Sequence, residues 1–274
     1  MFKIIIMALL IFIGMVGYDN ITDKAQPTTP IQQEQQKVSK HEKSAAMALF
    51  TSLLPPKEEW PSPVHKFYLA FNMDEVIDPI RQNPNWTSLD AMSRDIPQAL
   101  IAIEDHAFYN HGAIAVEGIL RAALANINAG EVVQGGSTLT QQFVKNIFLS
   151  HEQSMERKIE EAVLSLMLED NYSKDEILEL YLNTTYFGAG STGIKQASRT
   201  YFGKAPSALT LAEAAVIASL PYAPTSLNPL ENPEGCKKRQ LLVLAAMHKY
   251  GMINQGQLAE AKTEKIRLTN GTVM

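Results

Sequence analysis

The sequence predicts a mainly α fold, and three observations carry that expectation. Between residues 154 and 170, Ile159, Ala162, Val163, Leu166 and Met167 recur at i, i+3, i+4, i+7 and i+8, one face of a 3.6-residue period. Side chains that cap helices stand in front of several such stretches. The chain shows no series of period-2 alternations and no internal repeat. With 274 residues, 46% apolar and 19% charged, it has ample material for a core and is too apolar to be wholly disordered.

Taken from the N-terminus, Lys3 precedes an apolar run over residues 4–17. At about 1.5 Å per helical residue, residues 2–18 reach about 26 Å, enough to cross a hydrocarbon core of about 30 Å with local thinning. The run also suits a secretory signal. No Ala-x-Ala site and no lipobox cysteine follow it, which favours a retained anchor or uncleaved signal at 1–18. Lys3 before it and Asp19 and Asp23 after it place the remainder outside the cytoplasm, as a single-pass protein of the cytoplasmic membrane. Residues 19–65 are a polar linker ending in Pro55, Pro56, Pro61 and Pro63. The segment KFYLAF at 66–71 reads as a short strand.

From about residue 94 helices follow one another. Asp95 is expected to cap the first, running to Asp105, and further helices are expected at 118–127, 137–148, 154–170, 173–182, 210–220 and 254–261. The main domain is read as 66–250, with a C-terminal helix and tail at 251–274. A net charge of −5 argues against a nucleic-acid partner. Cys236, the single cysteine, excludes an intramolecular disulfide and a Cys-based zinc site, and reads as a packed thiol.

Three constellations carry chemistry. Glu104-Asp105 closes a helix, where the negative end of the dipole raises a carboxyl pKa and suits a general base, although such a pair is also commonly just solvated. Gly135-Gly136-Ser137-Thr138 opens a helix on which Ser137, Gln141 and Lys145 form one polar stripe at i+4 spacing. No P-loop spacing accompanies it. Arg157-Lys158 stand four and three residues before Glu161, an ion-paired helix face or a seat for a diphosphate with or without a divalent metal.

Together these segments resemble the peptidoglycan glycosyltransferases, the transglycosylase domain found alone in monofunctional enzymes and at the N-terminal side of bifunctional penicillin-binding proteins. The resemblance covers about residues 90–250 in the family's motif order. Its motifs are similar to Glu104-Asp105-His106-Ala107-Phe108 through His111, Gly136-Ser137-Thr138 through Lys145-Asn146, and Arg157-Lys158 through Glu161. Two more look like Lys174-Asp175-Glu176-Ile177-Leu178-Glu179-Leu180-Tyr181-Leu182-Asn183 and Leu220-Pro221-Tyr222-Ala223-Pro224 up to Asn228-Pro229.

The resemblance implies a lysozyme-like helical glycosyltransferase domain behind an N-terminal membrane anchor. It implies polymerisation of lipid II, in which a GlcNAc 4-hydroxyl attacks MurNAc C1 of the growing chain with inversion and undecaprenyl diphosphate leaves. Glu104 would be the base. Glu161 would support the diphosphate, with a divalent cation (Mg2+ or Mn2+) as cofactor and Glu161 as its possible ligand. Lys145, Arg157 and Lys158 would offset the diphosphate charge, with Ser137, Thr138, Gln141, Gln142 and Asn146 completing the substrate site. The implied partners are lipid II and the growing glycan chain, membrane lipids and other cell-wall synthesis proteins. The polyprenyl substrate requires an apolar surface beside the cleft, expected within residues 107–134.

The chain departs from the family pattern at Gln153 and Glu160, where basic residues are common. That departure keeps a second reading in view, a weakly active lipid II-binding scaffold. A lysozyme-like lytic enzyme is the third, and the basic cluster speaks against it because cleaving a sugar–sugar bond releases no diphosphate. No Ser-x-x-Lys occurs, so a monofunctional enzyme without a transpeptidase is expected.

Overall fold

The computed structural model describes residues 68–129, 135–149 and 154–274. The expected anchor at 1–18, the linker at 19–65 and Gln153 lie outside them. The chain divides into two compact units, residues 1–77 and 78–274. In the first, residues 68–71 are helical rather than extended. The Asn72 amide donates to the Tyr68 carbonyl at 3.0 Å, closing a turn, and the Tyr68 hydroxyl donates to the Glu75 carboxylate. The expected strand fails because a lone apolar hexapeptide gains backbone hydrogen bonds as a strand only from a neighbour. Among the described residues the β-pairing is limited to two isolated bridges, Tyr186 with Thr192 and Arg267 with Val273.

The helices are α1 (Asp74–Arg81), α2 (Asp95–Glu104), α3 (Val116–Ala129), α4 (Leu139–Phe148), α5 (Met155–Asn171), α6 (Lys174–Thr184), α7 (Ile194–Phe202), α8 (Leu211–Ser219), α9 (Pro233–Lys249) and α10 (Gln255–Thr263). The mainly α expectation holds. Local chemistry explains most boundaries. Thr138, Ser173, Thr210 and Asn254 each form a capping box with the residue three positions on, and Ser154 caps α5 through the Arg157 amide. Asp95 is the first helical residue of α2, and Arg94 stands at the cap position. There Asp95 still favours the positive end of the dipole. Helix α9 begins with Pro233 after the Asn232 cap, the preferred place for proline.

The core is built around α8. Every residue of the run Ala212, Glu213, Ala214, Ala215, Val216, Ile217, Ala218 and Ser219 is buried. A helix apolar all round has no face to give to solvent and becomes the centre of the fold. It packs against α2 and α9, which also pack on each other, and α4 packs against α5 and α6. Glu213, buried among apolar neighbours, is paired with Lys204 at 2.6 Å. Cys236 on α9 is buried with its thiol pushed up to about 11 by burial, a packed and unreactive side chain.

The turn after α6 depends on Gly188, which has φ +86° and whose added Cβ would lie 2.2 Å from the Pro224 carbonyl oxygen. Gly188→Ala is expected to destabilise the protein by more than about 2 kcal/mol, since left-handed strain of about 1–3 kcal/mol is joined by a backbone overlap. A urea midpoint that stays in place, at constant m, would refute this.

Candidate active site

Glu104 is the last residue of α2, at the negative end of its dipole. Its Oε2 accepts a hydrogen bond from Gln142 Nε2 at 3.0 Å, and Gln142 Oε1 accepts one from the Tyr181 hydroxyl at 3.0 Å. Tyr181 is fully buried on α6, and burial beside the Glu104 charge pushes its pKa well up, so it stays a donor. That fixes which edge of the Gln142 amide faces Glu104. Burial pushes the Glu104 carboxyl above its ordinary value, against the Gln142 hydrogen bond and the positive charges of Arg239 and Lys145. A carboxylate raised toward neutrality and flanked by cations is chemically a proton acceptor.

The loop after Glu104 is pinned at several points. His106 stacks on Tyr250 with ring centroids 4.1 Å apart, Phe108 is buried, and the Tyr109 hydroxyl donates to Asp175 at 2.7 Å. Asp105 binds His111 with one oxygen and accepts from the Leu139 amide with the other, at 2.6 and 3.1 Å. The Thr138 hydroxyl donates to the Ala113 carbonyl at 2.8 Å. The first two motifs are thereby stitched together next to Glu104.

A second cluster joins α5 to the start of α4. Lys158 Nζ donates to Ser137 Oγ at 3.1 Å and to the buried Glu161 carboxylate. The Lys158 side chain is half exposed, so a cation is presented to solvent while its counter-ion is hidden. Arg157 is the preceding residue of the same helix and is partly buried. Gly136 lets α3 approach closely: a Cβ there would lie 2.9 Å from Ile119 Cα. On α3, Val116, Ile119, Leu120 and Ile127 are exposed, so an apolar surface does occur within residues 107–134.

The structure thus brings Glu104, Gln142 and Lys145 together, and separately Ser137, Lys158 and Glu161. Asn146 is exposed on α4. Thr138 and Gln141 are buried and form the capping box of α4, while the Thr138 hydroxyl donates to the Ala113 carbonyl. Glu179 and Asn183 hold the segment before α2: Glu179 accepts from the Trp86 indole at 3.0 Å and the Leu89 amide at 2.8 Å, and Asn183 donates to the Thr87 carbonyl at 2.8 Å.

Arg239 carries no role in the sequence reading. It acts on Glu104 electrostatically from α9 and lies over the exposed Tyr222 ring at 4.1 Å. No local pattern marks it, because α9 is an ordinary core helix everywhere else. Among the described residues no three His, Cys, Asp or Glu side chains gather in a way that would hold a metal by themselves. Glu161 is a single carboxylate already paired with Lys158. That donor set fits Mg2+ or Mn2+ only where a substrate's phosphates supply most of the ligands.

The sequence matches the transglycosylase family model over residues 73–248. It is 41% identical over 194 residues to a Cupriavidus necator protein whose provisional name is transglycosylase, covering 71% of this chain and 84% of that one. It is 44% identical over 185 residues to penicillin-binding protein 1A of Neisseria flavescens, covering 68% of this chain and 23% of that one. It is 40% identical over 197 residues to penicillin-binding protein 1F of Bacillus subtilis, covering 72% and 28% respectively. The chain therefore spans about a quarter of the length of the two penicillin-binding proteins.

Proposed function

Because this chain belongs to the transglycosylase family, we propose that it is a peptidoglycan glycosyltransferase that polymerises lipid II into glycan strands. The observation that carries the reading is one raised carboxyl, Glu104, in the field of Lys145 on α4 and Arg239 on α9, with a separate half-exposed cation, Lys158 of α5, bonded to Ser137. A glycosyl diphosphate arrives with its leaving group already activated. The enzyme then needs one base and several positive charges rather than a covalent nucleophile.

In this reading Glu104 takes the proton of the acceptor's GlcNAc 4-hydroxyl as its oxygen bonds to MurNAc C1. The C1–O bond to the diphosphate breaks on the opposite face, so the configuration inverts and undecaprenyl diphosphate leaves. Gln142, held by Tyr181, aims the Glu104 lone pair. Ser137, Lys145, Arg157 and Lys158 bind the departing diphosphate and neutralise its charge. A divalent cation bound through Glu161 and the phosphates would add Lewis-acid neutralisation there. Exposed Val116, Ile119, Leu120 and Ile127 support contact of α3 with the lipid surface that holds the polyprenyl chain. Among the described residues no helix is long and apolar enough to cross a membrane, and the anchor read at residues 1–18 lies outside them.

Incubating the full chain with labelled lipid II is expected to give polymer that lysozyme digests. EDTA is expected to lower the yield and added Mg2+ to restore it. Absence of polymer with and without added metal would overturn the assignment.

A further inference from the structure

The loop between α8 and α9, residues 220–232, holds the last of the sequence motifs, and the mechanism above gives it no part. Its backbone is tied down. The Ala223 amide donates to the Leu220 carbonyl at 3.1 Å, the Leu227 amide to the Ala223 carbonyl at 2.9 Å and the Asn232 amide to the Asn228 carbonyl at 2.7 Å. The Asn232 side chain donates to the Ser226 carbonyl at 2.8 Å. On this fixed loop Tyr222 is 68% exposed. An exposed ring by itself is ordinary. The surroundings of this one are not.

The Arg239 guanidinium of α9 lies 4.1 Å from the centre of the Tyr222 ring and covers one face, leaving the other to solvent. The same guanidinium acts electrostatically on Glu104, so the ring stands in the neighbourhood of the base. Arg239 Nε is buried with no hydrogen-bond partner among the described residues. A buried donor without an acceptor is costly, and marks a place where a ligand supplies one. Other exposed tyrosines are engaged: the Tyr109 hydroxyl donates to Asp175, the Tyr186 hydroxyl accepts from the Gly190 amide, and Tyr250 stacks on His106. The Tyr222 hydroxyl has no hydrogen-bond partner among the described residues.

We propose that Tyr222 is a sugar-binding residue of the acceptor site, its free face stacking on the GlcNAc ring whose 4-hydroxyl lies at Glu104 while Arg239 donates to the acetamido carbonyl. The identity of the sugar rests on the glycosyltransferase reading. A GlcNAc ring carries the C–H groups of C1, C3 and C5 on one side, and these weakly positive hydrogens suit the negative face of an aromatic ring. The cation behind the ring and the fixed loop beneath it hold that face in place before the sugar arrives. Stacking on a ring that does not react is made equally in the ground state and the transition state. It therefore acts on KM and leaves kcat alone.

The test uses the full chain with 13C-labelled tyrosine rings and the disaccharide GlcNAc-β-1,4-MurNAc, which carries neither diphosphate nor lipid. Adding it is expected to shift the Tyr222 ring signals, assigned by their loss in Tyr222→Phe, and to leave those of Tyr109 in place. In lipid II polymerisation Tyr222→Ala is expected to raise KM about threefold to tenfold with kcat unchanged. Tyr222→Phe keeps the ring and is expected to keep the wild-type KM. Tyr222 signals that do not shift, or a KM in Tyr222→Ala equal to that of the wild type, overturn the proposal. A KM rise matched by an equal loss of binding to phosphatidylglycerol vesicles overturns it too, and makes Tyr222 a membrane contact. A wild type whose Tyr222 shifts with the disaccharide but which makes no polymer instead sinks the enzyme assignment and leaves the sugar site standing.

Discussion

Glu104→Gln is expected to abolish polymerisation while leaving the helical fold in place. The substituted amide keeps the shape of the carboxylate and its carbonyl oxygen still accepts from Gln142, so the contacts that close α2 on α4 survive. What it loses is the capacity to take a proton, and general-base loss costs about 10²–10⁴-fold. Burial raises Glu104 in the wild type, so the acid limb of kcat is expected above the ordinary glutamate value of about 4.3. Activity requires the ionised form, and it falls as pH drops through that raised value. Retention of more than about a tenth of wild-type turnover by Glu104→Gln would remove Glu104 from the mechanism.

The second large effect is expected at Lys145. It stands on α4 within one turn of Gln142, is exposed, and pulls the Glu104 carboxyl down. In the proposed reaction that one charge serves both the base and the diphosphate. Charge-assisted hydrogen bonds are worth about 1.5–3 kcal/mol where shielded, so Lys145→Ala is expected to cost about tenfold to a hundredfold in kcat/KM for lipid II. Removing its charge also leaves burial less opposed at Glu104, which moves the acid limb of the pH profile upward. Lys145→Arg keeps the charge and is expected to hold the limb near its wild-type place. An unmoved limb in Lys145→Ala would separate Lys145 from the base, and an unchanged kcat/KM would separate it from the diphosphate.

The cluster at Lys158 obeys different physics. Glu161 is buried and Lys158 half exposed, so the pair is asymmetric: the cation is available to a phosphate while the carboxylate keeps its compensating charge close. Gln153 lies outside the described residues, and the expected benefit of a basic residue there belongs with ligand-binding measurements on Gln153→Arg.

Much of this fold is legible in the sequence because the deciding interactions are local. Thr138 reaches Gln141, Ser173 reaches Glu176, Thr210 reaches Glu213 and Asn254 reaches Gln257, each across three residues. A capping side chain and the orphan amide it satisfies are neighbours in the chain as well as in space, so their spacing predicts the helix start. The periodic stripe on α5 predicts the helix but not its buried face: Ile159 is exposed, and the buried residues are Glu161, Ser165, Met167 and Leu168. The segment at 66–71 is where this logic breaks. A short apolar run has no period to read, and whether it pairs or coils depends on what lies beside it.

By itself, then, the sequence determined the helical class, several of the helix starts and the identity of the groups able to accept a proton or hold a phosphate. The tertiary structure decided what those groups do to one another. Gln142 meets Glu104 across 38 residues and Tyr181 across 39, Lys158 meets Ser137 across 21, and Asp105 meets the Leu139 amide across 34. Arg239 joins them only because α9 packs beside α2 on the buried α8. A pKa is set by the sum of burial, hydrogen bonds and charges within a few ångströms of the group. Distance along the chain says little about that sum, and packing settles all of it.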